Sequence, residues 1–148
     1  MNYRKFLLML VVSFIIMYSV MFLNVDEVDH IYLSTTRTYM TMLMILPMSI
    51  LMLLMMGKMY PRKKLNTIII ISSFVLIGVF IVALRTQTPI GDIQYMKAMI
   101  PHHSSAIMTS KNADIQDPEV KQLSEQIIKS QEEEIAKMKA MLERIEKK

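Results

Sequence analysis

The chain contains no cysteine. Disulfides, thiolate metal sites and cysteine nucleophiles are therefore excluded. Glycine is almost as scarce, with 3 in 148 residues, and no glycine-rich phosphate loop is present. There is no Ser-His-Asp constellation, low-complexity tract or tandem repeat. Charged residues make up only 20% of the chain and are missing altogether from three long stretches, Phe6–Leu23, Tyr39–Met56 and Leu65–Leu84. After Leu84 only 64 residues remain, which excludes a large soluble enzyme or a second globular domain of ordinary size.

What is abundant is apolar. The chain is 53% hydrophobic with a mean hydropathy of +0.35, and it holds 17 methionines. The three uncharged runs are 18, 18 and 20 residues long. As helices each measures roughly 27–30 Å, close to the hydrocarbon thickness of a bilayer. We read them as transmembrane helices 6–23, 39–56 and 65–84 within a membrane domain, 1–85. Arg4 and Lys5 resemble the basic start of a signal peptide. The first run is long for a signal, however, and Ser19–Leu23 offers a poor cleavage site, so a retained anchor is expected.

Lysine and arginine set the expected topology. Arg4, Lys5, Lys58, Arg62, Lys63 and Lys64 mark a cytoplasmic N-terminus and second loop. The first loop carries only Arg37 beside Asp26, Glu27 and Asp29, so that loop and everything after Leu84 should lie outside. Tyr3, Tyr39 and Tyr60 sit at the run ends, where amphipathic rings favour the interface. This pattern implies a membrane protein, with the lipid bilayer as a partner. The formal net charge of +4 is mostly this topology signal. From Thr86 onward the chain has 9 basic and 10 acidic residues, so no nucleic-acid footprint is present.

Residues 86–148 read as an extracytoplasmic two-helix domain after a short linker containing Pro89 and Gly91. Asp92 is the expected cap of a helix reaching about Lys111, with Pro101 expected to kink it. Asn112–Asp117 is the turn. Asp117 is the expected N-cap of the last helix, with Pro118 at its first position. That helix carries Leu123, Ile127, Ile128, Ile135, Met138, Leu142 and Ile145 at helical spacing. Gln131 and Glu134 fall beside Met138 on the apolar side, all three within about 60°. A carboxylate there is costly unless it is paired, protonated or bound to a metal. The plain alternative is that Glu134 reaches solvent at the edge of the stripe.

The preceding helix holds Met96-x-x-Met99-x-x-His102-His103. Met96, Met99 and His103 lie within about 60° on one face, and His102 is about 60° from Met99 on the other side. Thioether and imidazole without cysteine suit Cu(I) or Ag(I) better than Zn(II), Mg(II) or Ca(II). A di-iron bundle site would need Glu-x-x-His pairs, whereas Met99 and Ile100 stand three residues before the two histidines. The plain alternative is a satisfied or exposed histidine pair beside core methionines. In the second run Met40, Met44, Met48 and Met52 form a stripe interrupted by Pro47. It reads either as a thioether track toward Asp26, Asp29 and His30 or, preferably, as ordinary lipid-facing and packing residues.

Tyr95–Met108 (YMKAMIPHHSSAIM) and Ile127–Met138 (IIKSQEEEIAKM), with Asp92 ahead of the first, resemble the two motifs of the domain-of-unknown-function family numbered 305. The resemblance covers about Asp92–Leu142. It implies a ferritin-like, all-α fold, a bacterial cytoplasmic (inner) membrane and, as in some members, copper or silver binding in a bacterial periplasm. Carried over by motif position, the site would comprise Met99, His102, His103, Met108, Gln131, Glu134 and Met138, with Met96 added on physical grounds. Soluble members often carry two helix pairs. This chain has one, and Met141-Leu142 stands where a tryptophan is often found.

The expected fold is therefore three transmembrane helices followed by an extracytoplasmic helical hairpin, a ferritin-like half-bundle. The expected function is binding of Cu(I) or Ag(I), with no organic cofactor and no enzymatic activity, since no activated nucleophile is visible. A metal-free helical interaction module is the alternative. Two isolated amphipathic helices make a poor core, so a homodimer or higher homo-oligomer forming a four-helix bundle is expected.

Overall fold

The computed structural model describes residues 3–147. Among them the regular elements are all helical. They comprise α1 (Tyr3–Val20), α2 (Thr35–Met55), α3 (Lys63–Thr86), α4 (Asp92–Asn112) and α5 (Pro118–Glu146), with single 3₁₀ turns at Val28–His30 and Gly57–Met59. α3 contains its uncharged run whole, whereas α1 and α2 begin before theirs and end at Val20 and Met55, short of the run ends. α3 takes in Lys63, Lys64 and Arg85, and α2 takes in Arg37, which was expected in a loop and lies buried in its first turn. α1 stops at Val20, earlier than expected, because the chain turns there.

The structure divides into two compact units. The first is built from the chain up to Val20 together with Thr36–Pro89. All three of its helices are long and apolar enough to cross a membrane, with mean hydropathy 1.7, 1.9 and 2.9 along the chain. Phe6, Leu53 and Tyr60 form its core, flanked by Tyr3, Leu10, Met52, Ile69 and Ile70. Tyr60 lies 5.5 Å from both Tyr3 and Phe6, ring centre to ring centre. The tyrosines expected at interfaces also tie helices together. Tyr3 donates to Asn66 Oδ1 at 2.8 Å, and Tyr39 donates to the Thr88 carbonyl at 2.7 Å. Ser49 and Ser73 join α2 to α3 at 3.1 Å, a polar contact of the kind small residues make between apolar helices.

Most other apolar side chains of α1 and α3 are exposed, among them Leu7, Leu8, Ile15, Ile16, Ile68, Phe74 and Val82. So large an apolar surface is far beyond what a water-soluble monomer leaves bare. The methionine stripe of α2 is split: Met40 and Met44 are exposed, whereas Met48 is half-buried and Met52 packs against the core.

The second unit combines Met21–Thr35 with the chain from Ile90 onward. The division expected at residues 85 and 86 had left 21–35 with the membrane part. α4 and α5 run antiparallel, with Lys97 against Glu146, His103 against Glu134 and Ser110 against Ser124. Their apolar faces meet in a core of Met96, Ile100, Ile107, Ile135 and Leu142, and Tyr32 of the 21–35 segment packs onto it. Ile100 and Ile107 are fully buried; each such side chain contributes roughly 1.5–3 kcal/mol by leaving water.

α5 starts as its sequence requires: Asp117 accepts from the Glu119 and Val120 amides at 2.9 and 3.1 Å, with Pro118 at the first helical position. The cap of α4 differs from expectation. Gly91 is the N-cap and makes no side-chain bond, while Asp92 is the first helical residue. There its carboxylate still faces the positive end of the helix dipole. α4 continues through Pro101, which is buried.

Candidate metal site

The 21–35 segment acts as a strap across α4. Asn24 donates to Ser105 Oγ at 2.7 Å, and the Asp26 amide donates to Ser104 Oγ at 2.8 Å. The Thr35 amide and hydroxyl both donate to Gln94 Oε1, at 2.8 and 3.0 Å. Two ion pairs close its sides: Lys111 reaches Asp26 at 2.8 Å, and Lys139 reaches Asp29 at 2.6 Å. The Lys139 hydrogen bond holds the Asp29 carboxyl below its usual range. The strap therefore covers one flank of α4, the flank that carries Ser104.

His103, the next residue back, points the other way and meets α5. Its Nδ1 stands 3.1 Å from Glu134 Oε2. The oxygen is not aligned with the ring N–H direction, so Nδ1 is buried without a hydrogen-bond partner among the described residues. Burial lowers the His103 pKa, the neighbouring His102 lowers it further, and Glu134 opposes both. The neutral ring is thus favoured, with a buried nitrogen left without a bond. An unsatisfied buried nitrogen is costly.

The structure places the other residues singled out in the sequence as follows. His102 is exposed, with its ring centre 6.0 Å from that of His103. Met99, Met108 and Gln131 are half-buried. Glu134 is half-exposed and accepts a hydrogen bond from Ser130 at 3.2 Å. Met138 is partly buried and packs against the core. Met96 is 6% exposed and belongs to the core itself. His103 and Glu134 are therefore brought together, and Met96 is used for packing. Met96 shares its face with Ile100 and Ile107, and His103, about two turns on from Met96, lies at the edge of the same face, where it meets Glu134.

Residues 82–148 match the family profile described as Domain of unknown function (DUF305). The chain is also 38% identical over 146 residues to an uncharacterized protein of Acanthamoeba polyphaga mimivirus, an alignment spanning 97% of this chain and 94% of that one. The chain belongs to the DUF305 family. No solved structure matches it. The viral relative aligns through the apolar helices as well as through the DUF305 segment, so the two parts are joined in both proteins.

The residues that sequence reasoning left out of the site are those of the strap. Asp26, Asp29 and His30 had been read only as the far end of a methionine track. Their signal was a His buried in a charged loop, and burial is not visible in a loop that lacks hydrophobic periodicity.

Proposed function

We propose that this DUF305 protein is a membrane-anchored binding protein for soft ions, Cu(I) or Ag(I), acting in sequestration, handover or tolerance. The observation that carries the reading is the buried, unbonded His103 Nδ1 beside Glu134 on a helix that also bears Met99 and His102. The thioether of Met99 and one or both imidazoles would hold the ion. Glu134 would ligate it or accept a hydrogen bond from a ligating ring and fix its tautomer. Thioether and imidazole donors favour a soft monovalent ion over harder divalent ones.

The membrane part of the proposal has its own support. Segment 21–35 follows α1, and residues from 90 onward follow α3, yet both fold into one unit. That requires them on one side of a bilayer, which holds if all three apolar helices span it. The six basic residues of the N-terminus and the 57–64 loop then lie on the opposite, cytoplasmic side.

The alternative is a helical interaction module that binds no metal. The exposed Val120, Leu123 and Met141 of α5 and the core position of Met96 favour it. Either reading allows two copies to pair through α5 in a four-helix bundle. Anaerobic titration of the purified full-length protein in detergent separates the two. Cu(I) and Ag(I), each in competition with a chelator, should bind more tightly than Zn(II). No uptake of either soft ion would leave the interaction module.

A further inference from the structure

On the strap, Glu27, Asp29 and His30 gather their ligand atoms within 4.8 Å of one another. His30 Nε2 is 3.8 Å from Glu27 Oε2 and 3.7 Å from Asp29 Oδ1, both too far for a hydrogen bond. Donor atoms around a tetrahedral ion with bonds of about 2.0–2.1 Å sit roughly 3.3–3.4 Å apart, so on a shared ion the two gaps from Nε2 would close by roughly 0.3–0.5 Å. His30 is only 6% exposed, and its other nitrogen, Nδ1, is held by Ser104 Oγ at 2.9 Å. A buried ring anchored through one nitrogen, with the other turned to two carboxylates, is the arrangement that fixes a ligating histidine.

Asp29 is prepared for the same role. Lys139 bonds Asp29 through Oδ2, which leaves Oδ1 for the His30 side. A cleft of about 240 Å³ opens beside Glu27 and His30, which line it with Asp26, Glu132 and Lys139 over Ile135. It gives an entry path and room for a water in a fourth position.

We propose that Glu27, Asp29 and His30 form a second metal site, for a divalent cation of the Zn(II) or Co(II) type. One nitrogen and two carboxylate oxygens are a harder donor set than thioether and imidazole, so this site rejects Cu(I) and Ag(I). With an ion on Nε2, the imidazole proton sits on Nδ1 and is accepted by Ser104 Oγ. The site is separate from His103 and Glu134: consecutive residues of α4, Ser104 and His103, serve the two. It stands whether or not the soft-ion reading holds.

The test uses the full-length protein in detergent, with the double variant H102A/H103A as the background that removes the other histidines. Co(II) absorption and Zn(II) competition with a chelator report binding. That variant should keep one Zn(II) or Co(II) equivalent, and E27Q or H30Q added to it should weaken binding at least about 10-fold. E27Q changes only an exposed side chain and leaves the His30–Ser104 bond in place, so a loss of binding in E27Q is not a loss of fold. In the wild-type background E27Q should leave Cu(I) and Ag(I) titrations unchanged. Zn(II) affinity unaltered by both E27Q and H30Q, or no Zn(II) bound by H102A/H103A, overturns the proposal.

Discussion

His30 and Ser104 lie 74 positions apart and meet at 2.9 Å, both nearly excluded from solvent. One hydroxyl serves two strap groups, the His30 ring and the Asp26 amide. The loop between the first two apolar helices is thereby made part of the DUF305 domain.

Ser104→Ala removes that shared partner. It leaves the Asp26 N–H and the His30 ring nitrogen without it, at a cost of about 1–3 kcal/mol for each buried group left unsatisfied. Amide hydrogen exchange in the strap should accelerate, while the Ile100 and Ile107 region of α4 exchanges as before. Unchanged protection of the strap in S104A would mean that the ion pairs of Lys111 and Lys139 hold it alone.

The metal-free protein should lose stability in mild acid, and His103 supplies one source. Burial lowers its folded pKa below the unfolded value of about 6.5. The unfolded chain therefore takes up the proton first. Stability is fully present above about pH 6.5, declines as the pH falls through that value, and levels off below the folded pKa. Comparing urea unfolding of wild type and H103Q across pH 5–8 checks this, and H103Q should show a shallower slope.

Within the proposed soft-ion site the ligands should rank by role. Met99→Leu conserves volume and helicity but removes the sulfur, so it should weaken Cu(I) and Ag(I) with little change in helix content. H102A/H103A should abolish most of the affinity. Glu134→Gln should cost about 10–100-fold if the carboxylate orients His103 rather than ligating. Chelator competition for each variant provides the ranking. Wild-type affinity in both M99L and H102A/H103A would return the methionines to packing.

Topology is directly accessible because the chain has no cysteine of its own. Thr109 is exposed on α4, and T109C should react with an impermeant thiol reagent added to intact cells or spheroplasts. Lys58, exposed in the opposite loop, provides the control, since K58C should react only after lysis. The reverse pattern would invert the assigned orientation.

Much of this architecture was legible in the sequence, for physical reasons that differ by element. The apolar helices showed themselves by length and lack of charge. α5 showed itself by its period and by Asp117-Pro118, whose capping bonds form as the residue types require. Met96 was ambiguous because a thioether is both a ligand and a core filler. Its burial beside Ile100 is a tertiary outcome that helical spacing leaves open. The strap was illegible for a deeper reason. Its partners Ser104, Gln94, Lys111 and Lys139 lie between 59 and 110 residues away, and a short loop of mixed charge carries no periodic signal of where it will dock.

That separation also sets an order of assembly. The strap leaves the ribosome long before the helices that receive it, and Lys139, the partner of Asp29, emerges 110 residues later. Until α4 appears His30 and Asp26 have no docking surface, and the unit that the strap belongs to is completed only after the last turns of α5 appear. A chain truncated before Lys139 would therefore leave Asp29 without its lysine, and a fragment starting at residue 86 would lack the segment that covers its Ser104 flank. The smallest autonomous version of this domain is one in which 21–35 is rejoined to 90–147 by a linker in place of the three helices.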